Sequence, residues 1–152
     1  MANTVVLDYT NALMASLAAR AGLEGVVITD GPPEMSGLAH GEWIAFLDVS
    51  GSQEWATISR ATKPRNETLT LEFFIDVVAP SGANNQTGVN ARAVELFQEI
   101  EDELRSNPGQ GVGRAFISSQ VATEFRLLKR ANLEEGWREC LLTAAVEVKA
   151  RL

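Results

Sequence analysis

The chain is 152 residues long, 45% hydrophobic and 22% charged, with 20 acidic against 13 basic residues and a net charge of −7. That is enough chain for one ordinary domain with a real core, and the composition is that of a folded protein rather than a disordered one. The acid excess argues against gripping nucleic acid, which needs clustered Lys and Arg on phosphates, and a single cysteine, Cys140, excludes an internal disulfide framework.

The opening MANTVVLDYT lacks a basic segment followed by an apolar run, so no secretory leader is expected, and no apolar stretch is long enough to span a bilayer. The expectation is a soluble protein folded in a cytoplasm, without membrane contact. Residues 8–21 read as a helix capped by Asp8, with Leu13, Leu17 and Ala21 as a narrow apolar stripe and Gly22 as its stop. A short strand at 25–29 ends in the turn signal Asp30-Gly31-Pro32-Pro33, and Trp43–Val49 reads as a strand with both faces partly covered.

Residues 50–66 read as a long mobile loop that carries Trp55 and the basic Arg60, Lys63 and Arg65. The stretch 67–79, ETLTLEFFIDVVA, alternates. One face is Leu69, Leu71, Phe73, Ile75 and Val77, a face that wants a core; the other mixes Glu72, Phe74 and Asp76. A polar loop at 80–88 leads to the clearest helix, 89–105. Its apolar face is Val89, Ala93, Leu96, Phe97, Ile100 and Leu104, while Arg92, Glu95, Glu99, Asp102 and Glu103 point away.

A strand at 112–121 is expected to extend through 123–128, and a charged turn at 129–136 leads to the last strand, 137–152. There the even positions from Cys140 to Leu152 are apolar, and the odd ones include Glu147, Lys149 and Arg151. The order predicts an α+β fold: one mainly antiparallel or mixed β-sheet of four to five strands, with two α-helices packed on one face. No domain boundary interrupts residues 1–152.

Catalytic chemistry is scarce. His40 is the sole histidine. A dyad with Cys140 would need a thiol that the alternation puts on the apolar face of the last strand, where it is inert packing. The glycine run 109–113 follows a helix and enters a strand, the reverse of a nucleotide-binding turn. Carboxylates of the acidic run 99–103 diverge on a helix and cannot complete a cation shell. No enzyme, metal or cofactor is expected. The face bearing Glu72, Phe74 and Asp76, continued by Leu141, Ala145, Glu147, Lys149 and Arg151, is apolar surface rimmed by charge, which favours protein contact.

Several features together carry a family likeness. They are an early Ala/Leu helix, a short strand ending in Gly31-Pro32, the block Gln53-Glu54-Trp55-Ala56 and the basic stretch from Arg60 to Arg65. To these add the strand entry Arg65-Asn66-Glu67-Thr68, the helix ending Leu104-Arg105-Ser106-Asn107-Pro108, and the close on Ala150-Arg151-Leu152. In this combination the chain resembles the tail terminator (tail-completion) proteins of long-tailed bacteriophages, of the actinobacterial-phage type. The likeness runs along essentially the whole chain and departs from the family pattern in the Asn-rich loop 82–87.

The resemblance implies a structural virion protein of the tail and neck, assembled in the host cytoplasm. Such a protein forms a ring, typically a homohexamer, that caps the tail tube, ends its polymerisation and presents the surface for head–tail joining. Implied partners are further copies of itself, the tail tube protein and the head–tail connector or stopper. DNA would pass through an acidic lumen without specific binding. On this reading Glu72, Phe74, Asp76, Glu147, Lys149 and Arg151 face a neighbour or the lumen, and Gln53, Trp55, Arg60, Lys63 and Arg65 dock to tube or neck. Alternatives are another neck component, such as a head-completion or stopper protein, or a monomeric cytoplasmic binding module.

Overall fold

The computed structural model describes residues 4–33, 41–55, 65–82, 85–112, 116–132 and 134–151. Helix α1 (Val6–Ala18) is followed by a 3₁₀ turn (Ala21–Leu23), then β1 (Val27–Asp30), β2 (Gly41–Trp55) and β3 (Arg65–Pro80). Helix α2 (Asn85–Ser106) precedes β4 (Phe116–Val121), β5 (Arg126–Asn132) and β6 (Trp137–Arg151). The architecture is α+β, with a mixed sheet in the order β1-β2-β3-β6-β4 and β5 also paired to β6. Among the described residues only the β1–β2 pair is parallel. Among the described residues no helix is long and apolar enough to cross a membrane.

Among the described residues the sheet has six strands rather than the four or five expected. β4 and β5 lie end to end along one edge of β6, β4 against 146–151 and β5 against 137–143. The expected extension of β4 therefore exists, but as a separate strand after a break at 122–125. The break is held to β6 by the Ala122 N–H on the Ala145 carbonyl, 2.8 Å. Much of the expected charged turn is strand: the sequence RLLKRAN pairs along β6 with its charges at an exposed edge, where charge is tolerated and deters further pairing.

The 50–66 loop is also corrected. Residues 50–55 continue β2, and β3 already begins at Arg65; 56–64 lie outside the described residues. Gly51, which reads as a breaker, is a close-approach glycine inside the strand. A Cβ there would sit 2.6 Å from Leu69 Cδ2 and 2.9 Å from the Thr68 carbonyl oxygen.

One face of the sheet is core, as the alternation predicts. Leu69, Leu71, Phe73, Ile75 and Val77 of β3 meet Cys140, Leu142, Val146, Val148 and Ala150 of β6, all buried. α2 lays Val89, Ala93, Leu96, Ile100 and Leu104 on β3, β4 and β6; each Leu or Ile so buried stabilises the fold by about 1.5–3 kcal/mol. Phe97, half-buried, continues a ring stack from Phe46 and Phe73 (centroids 5.9 and 6.4 Å apart) out to Phe125 at the β4–β5 break, 5.8 Å further.

α1 starts at Val6 without a side-chain cap, so Asp8 lies in its first turn, and Ala21 is exposed beyond its end. Its buried face is Tyr9, Leu13 and Leu17. The Tyr9 hydroxyl donates to the Pro108 carbonyl (3.2 Å), and burial pushes its pKa up to about 12. Glu99 and Glu103, expected to face solvent, instead clamp Arg20 at 2.8 and 2.9 Å and tie α2 to the α1 end. Two residues of the acidic run therefore hold an arginine.

Candidate functional site

All six residues expected on the second face of the sheet are there. Register places Glu72 opposite Ala145, Phe74 opposite Thr143 and Asp76 opposite Leu141, with Glu147, Lys149 and Arg151 opposite Thr70, Thr68 and Asn66. They do not form one surface. A bulge at 47–48 of β2, where the register slips between Phe46 and Val49, and the 122–125 break on the other edge divide the sheet into two ends.

At the first end, β1, β2, β3, β6 and β5 run side by side and the second face is buried at its centre, while Val27 and Thr143 on it stay exposed. Trp43 and Ala45 of β2 are buried at 3% and 0% exposure, with the Trp43 indole folded along its own strand over Gly41. Asp76 is 3% exposed, and its Oδ1 has no hydrogen-bond partner among the described residues. Burial pushes its carboxyl up to about 7. The charge of Glu139 and a hydrogen bond to it add to the rise, and Arg130 on β5 opposes it. Asp76 is therefore not the open interface carboxylate that the alternation suggests. A charged group there cannot be exchanged for the opposite one without disturbing the protomer itself.

At the second end only β2, β3, β6 and β4 continue, and the same face is polar and open. Successive rows are Ser50–Thr70–Glu147–Gln120 and Ser52–Thr68–Lys149–Ser118. The Gln120 amide donates to Glu147 at 3.4 Å, and Lys149 and Arg151 are exposed. Glu54, Glu72 and Glu147 are interspersed with Lys149 and Arg151, so acid is not concentrated on this face and the expectation of an acidic lining is not met here.

The open end also has unpaired edges. Among the described residues, β1 covers β2 only over 43–46, and no strand pairs with the outer edge of β2 from Val49 to Trp55 or with that of β4. Neither stretch contains Lys, Arg or Pro, the usual guards of a free edge. Each antiparallel step reverses direction, so β2 and β4 run oppositely.

Of the expected docking residues, Gln53 and Arg65 meet at the far tip of the hairpin. Gln53 accepts from Arg65 and donates to the buried Glu67, both at 3.2 Å, and Glu67 also accepts from Thr4. Trp55 pairs with Arg65 in the backbone register. Arg60, Lys63 and His40 lie outside the described residues. Cys140 is fully buried on the helix side, where burial raises its thiol pKa. The glycine run begins in a turn with Gln110 and Gly111 at positive φ, between α2 and β4.

A groove of about 580 Å³ lies where the two ends meet, lined by Leu47, Phe73, Ala122, Phe125 and Ala144 with Glu72 and Glu124 at its margin. Sequence reasoning missed it, because it arises from the bulge and the break facing each other across β3 and β6. The unpaired edges were equally hidden: FISSQV is legible as a strand without guards, but VSGSQEW reads as the start of a loop.

No protein-family model and no curated protein matches this chain. Among solved structures the chain is similar to one in "Virion of native gene transfer agent (GTA) particle", with 16% identity, 97% of this chain and 99% of that one covered, and a TM-score of 0.44. At that distance the likeness fixes neither fold nor role.

Proposed function

We propose that this protein is a non-catalytic structural subunit that joins copies of itself head to tail into a ring, and that the ring caps a phage tail tube, ends its growth and offers the docking surface for the head. The observation that carries this reading is the pair of unguarded edges at the open end. β2 over 49–55 and β4 over 116–121 are similar in length, opposite in direction and on opposite sides of one four-stranded section. Pairing the β2 edge of one copy with the β4 edge of the next continues an antiparallel ladder of about 20 Å. Such a contact is heterologous, and heterologous contacts close into rings when the rotation per copy allows it.

The polar second face would then line the channel. Its Ser, Thr and Gln side chains with mixed charges give passing DNA no cluster of cations to hold. The resemblance in sequence to tail terminators supplies the tube and the head as partners, and hexamer as the expected number.

Native mass measurement with and without tail tubes tests the reading, together with amide exchange. Rings are expected, with protection gained over 49–55 and 116–121 on assembly. A chain that stays monomeric at high concentration with tubes present overturns it. The groove beside Phe125 favours a second reading, a monomeric module that takes a peptide, and the monomeric outcome would select it.

A further inference from the structure

The alternation that makes one side of β3 a core face ends on a charge. Glu67 stands in phase with Leu69 and Leu71 and is only 2% exposed, yet it is a carboxylate. Among the described residues its partners are neutral. The Thr4 hydroxyl donates to one oxygen and the Gln53 amide to the other, and Glu67 enters no ion pair. A buried charge held by neutral donors alone is costly where a leucine would suit the pattern. Tight packing does not account for it either, since a cavity of about 280 Å³ lies beside it, between Thr4, Val6, Gly51 and Gln53.

What the carboxylate does is join three parts of the chain. Behind it, Thr4 is tied to the start of α1, because its hydroxyl oxygen also accepts from the Val6 N–H at 3.2 Å. In front of it, Gln53 lies directly across from Glu67 in the β2–β3 register, and its carbonyl oxygen accepts from the Arg65 guanidinium at 3.2 Å. Thr4, Glu67, Gln53 and Arg65 thus form an unbroken run of hydrogen bonds from the helix to the last described rung of the ladder, Trp55–Arg65. That rung lacks other support. β6 pairs with β3 only as far as Asn66, opposite Arg151, so among the described residues no third strand flanks Trp55 and Arg65. A two-stranded end is marginally ordered in water by itself.

We infer that Glu67 is a positioning residue: it holds Gln53, and through Gln53 Arg65, in the arrangement that this chain presents to the tail tube or neck. This rests on the docking reading above and adds to it the residue that sets the docking tip. Glu67 is covered, so its effect passes through the two side chains in front of it. Side chains already held in place lose less freedom on binding, and loosening them lowers affinity without deleting a contact.

The test compares full-length Glu67→Leu and Glu67→Gln with the wild type. The amide keeps an acceptor for Gln53 and a donor for the Thr4 hydroxyl oxygen; the leucine keeps only the bulk, with room for it in the neighbouring cavity. Thermal unfolding checks that each variant folds. Amide exchange over 53–55 and 65–66 is read in the free protein against exchange over 69–77, which a general loss of stability would move as well. Relative to that reference, the tip should exchange roughly tenfold faster in Glu67→Leu and less than about threefold faster in Glu67→Gln. Binding to purified tail tubes should weaken about tenfold in Glu67→Leu and stay within about threefold of wild type in Glu67→Gln.

If Glu67→Leu does not fold, Thr4→Val breaks the same run one bond earlier and is read by the same two measurements, with effects of about threefold. A tip that exchanges as in the wild type, or a loosened tip that binds tubes as the wild type does, overturns the inference. So does an amide variant as impaired as the leucine, because the hydrogen bonds would then not be what holds the tip. Wild-type protein that binds no tube removes the docking reading instead, and the exchange comparison alone then decides whether Glu67 positions Gln53 and Arg65.

Discussion

The two ends of the sheet are built from the same three central strands, yet they treat their second face in opposite ways. Between the half-buried Phe74 and Val78 the face buries Trp43 and Ala45 and traps an aspartate. From Asn66 to Glu72 it is open, hydrophilic and bordered by free edges. The difference teaches that a strand's outward residues are not one surface. Five strands, with a tryptophan on the second, shield what four strands leave wet. An interface residue on this face must therefore be sought at the open end, or along the sides of the closed one.

The sharpest way to break the contrast is to reverse one charge at each end. Asp76→Lys puts an ammonium where no solvent reaches and should cost on the order of 3–5 kcal/mol, enough to unfold much of the protein. Glu72→Lys, four residues away on the same face but exposed, should change stability by less than about 0.5 kcal/mol. Urea unfolding of the two variants reads both. Comparable losses would mean that the ends do not differ. The pair cannot serve as one combined test of the face, since its Asp76 half acts on folding before assembly.

A second comparison removes bulk. Trp43→Ala should cost about 3–5 kcal/mol through the lost burial and the cavity left behind, whereas Thr68→Ala at the open end should be nearly neutral. Equal midpoints in thermal unfolding would contradict the closed packing.

The finest comparison is in pH. Asp76 binds its proton more tightly folded than unfolded, from an ordinary value of 3.8 up to about 7. Its contribution to stability is therefore complete below about pH 4 and lost as pH rises through about 7. Asp76→Asn keeps the neutral shape and should match the wild type near pH 4. Near pH 8 it should be more stable by up to about 4 kcal/mol. A difference between the two proteins that does not change with pH would mean that the carboxyl is not buried in its charged form.

Much of this fold is legible in the amino-acid order. Period two on β3 and β6 identifies both core faces residue by residue, and the 3.6-residue spacing from Val89 to Leu104 finds α2. These signals are local and repeat along the element that carries them. Tyr9, Gly51 and β5 were not legible. The apolar stripe of α1 does not include Tyr9, a glycine reads as a break until Leu69 crowds it, and a charge-rich run reads as a turn until a neighbour supplies its ladder.

What the sequence determined by itself is the α+β class, the helix-covered face and the identity of the residues on the other. What only the tertiary structure decided is which of those residues see water. Asp76 and Glu72 occupy equivalent positions in one alternation, and nothing in the chain between them distinguishes their surroundings. Their environments part because strands distant in sequence, β1 and β5 at one end and β4 at the other, end at different heights. Burial is set by that three-dimensional coverage, and no periodicity along a single strand can encode it.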